Sequence, residues 1–429
     1  MQSPHRFFRG AAPIVEGSAP TIWIAFIVIA SVVYQAVLAL IHTHVHRGSA
    51  LLVAAAEFVI YLACILVLAR RIRLEFVTVV ALVLAYLLLL SIFREGLDFK
   101  GFRDVMIPLL FFWLGRHAGD VGYADRLLKG LVIAVLIFGF FEFFFLPQYT
   151  ALLDIFSYYV STGTVTISTN YIRDSALNLN GLRPEGIGRT IFPSLLGSHR
   201  VSSVFLEPVS LGNFAVIVAA WGLSKPRSEA RSMTFFLLSA AILIALADSR
   251  YGLIVVSALI VIRMIVHGRM HALFIALPFL SIAALVLIGL YFHGGVADNI
   301  MGRLYWTGDT LLGFDLGKII GVQGFNLPYG DMGYAYLLSR WGVLLCLVLW
   351  GALWLIRMPD ERGVRFRAYA ALYISLILTV SGTSFFALKT AGLLWFLVGS
   401  YAYISAPRVA AVRRSETAPF PDRELNYAH

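Results

Sequence analysis

Two arginines and one aspartate stand where a membrane chain has reason to avoid charge. Arg200 opens the stretch SHRVSSVFLEP (198–208), and Arg250 lies in ALADSRYGL, a tight turn between two apolar runs. A guanidinium offers a planar fork of donors matched to phosphate oxygens, and it stays ionised when desolvated. Two of them fixed at an outer membrane interface suit the pyrophosphate of a lipid-linked substrate; the alternative is ordinary snorkelling to headgroup phosphates. Asp331, in PYGDMGYAYLLSRWG (328–342), is a carboxylate able to take a proton from a sugar hydroxyl. It could equally cap the helix that follows. Glu207 falls seven residues after Arg200, two helical turns deeper on nearly the same face, and is expected to pair with a guanidinium and fix its orientation. Around these, Arg303, Tyr305, Tyr334 and Arg340 are candidate substrate contacts, with Arg183 and Arg189 as contacts from a sugar-facing loop. Trp306 and the loop tyrosines could stack on sugar rings or serve as interfacial belt residues.

The elements that must position these groups are apolar helices. The chain has 429 residues, of which 59% are hydrophobic and 14% charged, and its mean hydropathy is +0.82. A soluble domain carries about 25% charged residues, so the composition is that of a polytopic membrane protein. Twelve apolar runs are candidate crossings: 20–41, 49–69, 74–93, 104–118, 128–147, 205–224, 233–248, 251–267, 272–292, 335–356, 367–386 and 390–406. If the N-terminus is cytoplasmic, the inner segments, including Arg70/Arg71/Arg73, Lys225/Arg227/Arg231 and Arg357/Arg362/Arg365/Arg367, carry 21 of the 34 basic residues. The positive-inside bias therefore places both termini in the cytoplasm and the first run as an uncleaved span. Two long outer loops follow, at 148–204 and 293–334, both rich in aromatics, and such loops are more often functional than idle. Residues 1–406 read as one transmembrane domain, and the polar tail 407–429 is expected to be disordered.

The net charge of +10 is dispersed in short clusters between apolar runs, which argues for topology and headgroup contact and against nucleic acid. Cys64 and Cys346 form no metal or disulfide spacing, and His42, His44 and His46 in HTHVHR read as a polar turn; no metal site is expected. Glu57, Glu142, Asp248 and Lys389 lie in or beside apolar runs, where an ionised group is expensive. Each is a functional candidate or is neutralised by a neighbouring helix, and Lys389 reads as part of a short turn between the last two runs. The absence of an internal repeat weighs against an inverted-repeat transporter.

The ordered set RVSSVFLEP (200–208), SRYG (249–252) and DMGYAYLLSRWG (331–342) resembles the O-antigen ligase/Wzy polymerase superfamily. The resemblance implies an all-α, GT-C-like bundle of about twelve helices in the bacterial inner membrane, with its site facing the periplasm. It implies a glycosyltransferase that uses undecaprenyl-pyrophosphate-linked oligosaccharides as donor and acceptor, without metal or cofactor, and that can work with a chain-length-regulating co-polymerase. Arg200 and Arg250 would hold the pyrophosphate, and Asp331 would act as base or orient the acceptor. The ligases of the superfamily carry a His-Asn pair where this chain has Asp331-Met332. The departure suits a polymerase, most like the exopolysaccharide type of which the xanthan-gum polymerase is an example. Ligase-like transfer to another acceptor, or a lipid-linked oligosaccharide flippase, are the alternatives.

Overall fold

The computed structural model describes residues 21–70, 73–118, 120–165, 189–292 and 299–402, and among these every regular element is helical. The helices are α1 (Thr21–His44), α2 (Ala50–Ala69), α3 (Leu74–Phe93), α4 (Phe99–Ala118), α5 (Val121–Phe144), α6 (Leu146–Leu152), α7 (Ile155–Ser161), α8 (Pro193–Leu196) and α9 (Pro208–Ser224). They continue as α10 (Ala230–Ala247), α11 (Arg250–Ile265), α12 (Leu277–Tyr291), α13 (Ile300–Leu312), α14 (Leu316–Ile319), α15 (Gly333–Leu355), α16 (Glu361–Ile377) and α17 (Leu388–Tyr401).

Each of the twelve apolar runs carries one of these helices. Seven of the helical segments, Ile22–His44, Ala50–Ala69, Leu74–Phe93, Val121–Phe144, Arg227–Ala247, Met270–Tyr291 and Gly333–Leu355, are long and apolar enough to cross a bilayer. Their outward faces are greasy: Leu51 is 79% exposed, Leu74 80% and Leu355 86%. Apolar surface on that scale is stable only against hydrocarbon, so the chain is a multi-pass membrane protein.

α9 is the axis of the bundle. Every residue from Ser210 to Ser224 is buried, packed among α10, α11, α16 and α17. It also defines two ends, one at Glu207 and one at Lys225. At the Lys225 end, the buried ammonium lies between Asp125 and Glu229, while Arg362 reaches Glu229 (3.2 Å) and the Tyr401 hydroxyl (2.6 Å). This cluster ties α5, α9, α16 and α17 together.

Glycine sets the closest helix contacts, as expected where hydrocarbon offers helices no hydrophobic drive to associate. α4 and α17 lie backbone to backbone: a Cβ on Gly115 would stand 2.0 Å from the Phe396 carbonyl oxygen, and one on Gly399 would stand 2.0 Å from that of Phe112. In α15 the chain breaks helical geometry at Gly342 (φ 67°, ψ 160°). That kink releases carbonyls of the preceding turn. Arg94 takes those of Ser339 (3.1 Å) and Arg340 (2.6 Å), as well as Gly321 (2.6 Å), and the Tyr86 hydroxyl donates to Trp341 (3.0 Å).

Candidate functional site

The stretch containing Arg200 is not the start of a helix. α9 begins only at Pro208, whose fixed φ suits the first helical position, and Ser203 and Leu206 take left-handed φ values of 52° and 60°. Such backbone needs external support, and a buried carboxylate supplies it. Glu142, near the end of α5, accepts from the amides of Ser202 (2.9 Å) and Ser203 (2.5 Å), from the Ser202 hydroxyl (3.0 Å) and from His199 Nε2 (2.9 Å). The Tyr149 hydroxyl donates to the Ser203 carbonyl (2.7 Å). Glu142 is therefore the group that shapes residues 199–203.

The same segment is stitched to the end of α10. The Val201 amide donates to Leu246 O (3.0 Å), and Arg200 Nε donates to Ala247 O (3.1 Å). Asp248 then closes α10 in a left-handed conformation, its carboxylate accepting from the amides of Thr190 (3.0 Å) and Ile191 (2.8 Å) and from the Thr190 hydroxyl (2.8 Å). Ser249 caps α11 through Gly252 N–H (3.1 Å), which makes Arg250 the first residue of that helix. Arg200 and Arg250, fifty residues apart in sequence, thus flank one helix-to-helix turn, and both are half-buried.

Asp331 is more than half exposed and faces Arg303 of α13, with Nη1 to Oδ1 at 3.9 Å. It does not cap α15: the N-cap residue is Met332, and no side chain takes that role. Its loop is pinned to the end of α16, where Gly382 N–H donates to Gly330 O (3.0 Å) and Tyr334 N–H donates to Leu378 O (3.0 Å). Thr307 ties α13 to the same place by donating to Thr379 O (3.0 Å). The first turn of α11 joins α16 as well, through the Tyr251 hydroxyl and Tyr373 O (3.4 Å). The turn with the two arginines and the loop with the carboxylate are therefore both fastened to α16.

Several expected contacts fall elsewhere. Glu207 does not hold Arg200; a single 3-10 turn, Ser203–Phe205, lies between them and not two turns of α-helix. Its partners are Lys389 Nζ (3.1 Å) and the Ser210 hydroxyl (2.9 Å). Lys389, buried rather than in a free turn, also donates to Gln35 Oε1 and Phe205 O (2.8 Å each), so it fixes the turn before α9. Arg189 is buried and donates to the carbonyls of Ile191, His199, Ala245 and Leu246, a staple on the α10 terminus. Tyr334 is 4% exposed, with its hydroxyl donated to Ser375 O (3.0 Å), so it supports α15 from within. Arg340 binds Asp98 and lies 4.8 Å over the Tyr336 ring. Tyr305 is half-buried with its ring 5.9 Å from that of Phe292, and Trp306 packs against the core. Arg183 and the tail 407–429 lie outside the described residues. His42 and His44 belong to the last turn of α1 and not to a loop; His42 bonds Ser157 (3.0 Å) and Gly48 N–H (2.8 Å).

Glu57 belongs to a second polar network, in which neighbouring helices meet its charge. Gln35 donates to Tyr34 (3.3 Å), Tyr34 donates to Glu57 (2.8 Å), and Glu57 faces Arg103 (3.7 Å). Arg103 pairs with Asp104 (2.6 Å), which accepts from Tyr336, beside the Arg340–Asp98 pair. Its signal was the charged stretch FKGFRD (99–104), which belongs to α4 and not to a preceding loop.

What this end of the bundle offers chemically is a pair of half-buried arginines flanking one turn and an exposed carboxylate on a neighbouring loop. Together they suit an anion and a proton acceptor. No protein-family model, curated protein or solved structure matches the chain.

Proposed function

We propose that the chain is a polysaccharide polymerase of the Wzy type, joining undecaprenyl-pyrophosphate-linked repeat units at the periplasmic face of a bacterial inner membrane. The single observation that carries this reading is the turn between α10 and α11, where Arg200 and Arg250 flank the same chain reversal. On this reading all twelve apolar helices cross the bilayer, both termini are cytoplasmic, and the Glu207 end of α9 faces the periplasm.

The reaction is an inverting displacement. A hydroxyl at the non-reducing end of a fresh lipid-linked unit attacks the anomeric carbon of the growing chain. A new C–O glycosidic bond forms as the bond from that carbon to the pyrophosphate oxygen breaks. Undecaprenyl pyrophosphate leaves with the electron pair, and Asp331 takes the hydroxyl proton. Arg200 and Arg250 stabilise the charge gathering on the leaving group, an effect worth about 3 kcal/mol per well-placed donor. Arg303, 3.9 Å from Asp331, orients that carboxylate toward the acceptor.

The test is chain extension by purified protein supplied with lipid-linked repeats. Arg200→Ala and Arg250→Ala each reduce extension about 100-fold while the protein remains folded. Asp331→Asn loses extension but still binds the lipid-linked donor. Intact extension in both arginine variants rules the reading out.

A further inference from the structure

A large cavity among the described residues lies away from the arginine turn. It is an apolar groove of about 640 Å³ bounded by α4, α12, α15 and α17, with walls that include Pro108, Phe112, Phe279, Leu347, Trp350 and Trp395. Its volume falls within the range of about 300–1,000 Å³ typical of small-molecule sites. The groove follows α15 from Tyr334 to Arg357 across the break at Gly342, and at 1.5 Å per residue this is at most about 35 Å, comparable to the depth of a bilayer's hydrocarbon.

Its two ends differ in charge. Near Tyr334 the lining is neutral and satisfied, because the phenol donates to Ser375 O. At the far end the lining includes Arg116, Arg357 and Glu75. Arg116 pairs with Glu75 at 3.0 Å and stacks 4.8 Å over Trp113, so its guanidinium is held at the groove mouth. Arg357 follows the C-cap of α15 and is exposed. It is not needed to satisfy the helix terminus, since Arg367 donates to the carbonyls of Trp354 (2.9 Å) and Ile356 (2.8 Å). Among the lining residues, two cations against one exposed carboxylate leave a net single positive charge at the end of a bilayer-deep apolar slot. That is the complement of one phosphodiester carrying acyl chains.

We infer that this groove binds an anionic phospholipid, its acyl chains along α15 and its phosphate on Arg116 and Arg357. The inference rests on the chain being a membrane protein and is independent of the polymerase reading. The lipid enters from the leaflet at the Lys225 end of α9, opposite the arginine turn.

The experiment is delipidation of the full chain in a non-ionic detergent, followed by exposure to equal amounts of phosphatidylglycerol and phosphatidylcholine. Retained lipid is then counted by native mass spectrometry. Phosphatidylglycerol is retained about fivefold over phosphatidylcholine, as one net basic residue at a membrane surface implies. Arg357→Gln, which breaks no contact among the described residues, brings retention to parity. Glu75→Gln raises the preference about fivefold further. Leu347→Trp, which fills the slot, lowers retention of both lipids. Equal retention by the unaltered protein, or an unchanged preference in Arg357→Gln, overturns the inference. So does binding of soluble glycerol 3-phosphate with the same dependence on Arg357, because it would assign the site to a free phosphate ester.

Discussion

Glu142 accepts from two backbone amides, a hydroxyl and an imidazole, and it touches none of the groups proposed to meet substrate. Its removal leaves the Ser202 and Ser203 amides buried and unpaired, at about 1–3 kcal/mol each. Glu142→Ala therefore lowers stability by about 3 kcal/mol in thermal unfolding in micelles, and it abolishes extension by releasing the Arg200 segment. The Glu207–Lys389 pair makes a separate case. Lys389→Met strands a carboxylate that keeps 30% of its side chain exposed, so the loss is near the low end of the range for broken buried pairs, about 3 kcal/mol. The double variant Lys389→Met/Glu207→Gln recovers most of it, because the uncompensated charge is gone. A double-mutant cycle on unfolding free energy reads this directly, and additive losses would show the two residues to be independent. The charges themselves were legible in the sequence, but not their partners: Lys389 lies 182 residues from Glu207, and no local pattern encodes that distance.

Helix contacts decide the next scale. Gly115 and Gly399 let α4 and α17 meet backbone to backbone, and the carbonyl oxygens facing them cannot move out of the way as a side chain can. Gly399→Ala is expected to destabilise by about 3 kcal/mol, as overpacking does. Gly130→Ala in α5 meets nothing within 4 Å and gains up to about 1 kcal/mol from helix propensity. The contrast is measured by unfolding both variants side by side. Helix existence was readable from apolar runs because burial in lipid requires continuous hydrophobic length. Helix ends were less so. The sixth run enters its helix at Pro208 instead of residue 205, since the left-handed Leu206 and the proline ring fix the start. The eleventh ends at Ile377, leaving 378–387 as irregular backbone whose amides (Gly382, Thr383) and carbonyl (Leu378) hold the Asp331 loop.

At the scale of the whole molecule, the arginine turn, Asp331 and the Glu207–Lys389 pair gather at one end of α9, and the Lys225 cluster closes the other. The proposed orientation predicts that a cysteine at Leu327, which is 46% exposed, reacts with a membrane-impermeant maleimide in intact cells. One at Ser228, near the Lys225 end, reacts only after permeabilisation; the reverse pattern would invert the topology. Composition and hydropathy by themselves determined that this chain is helical and lives in a membrane, because the solvent a surface tolerates is a property of residue type. They also marked Arg200, Arg250 and Asp331 as the charges worth following. Only the tertiary structure decided that Arg200 and Arg250 flank one turn, that Asp331 faces Arg303 instead of capping a helix, and that Arg189 and Tyr334 are internal supports. Ionic and hydrogen-bonded partners are chosen by three-dimensional proximity, and in a helical bundle that proximity is set by which helix faces pack, not by spacing along the chain.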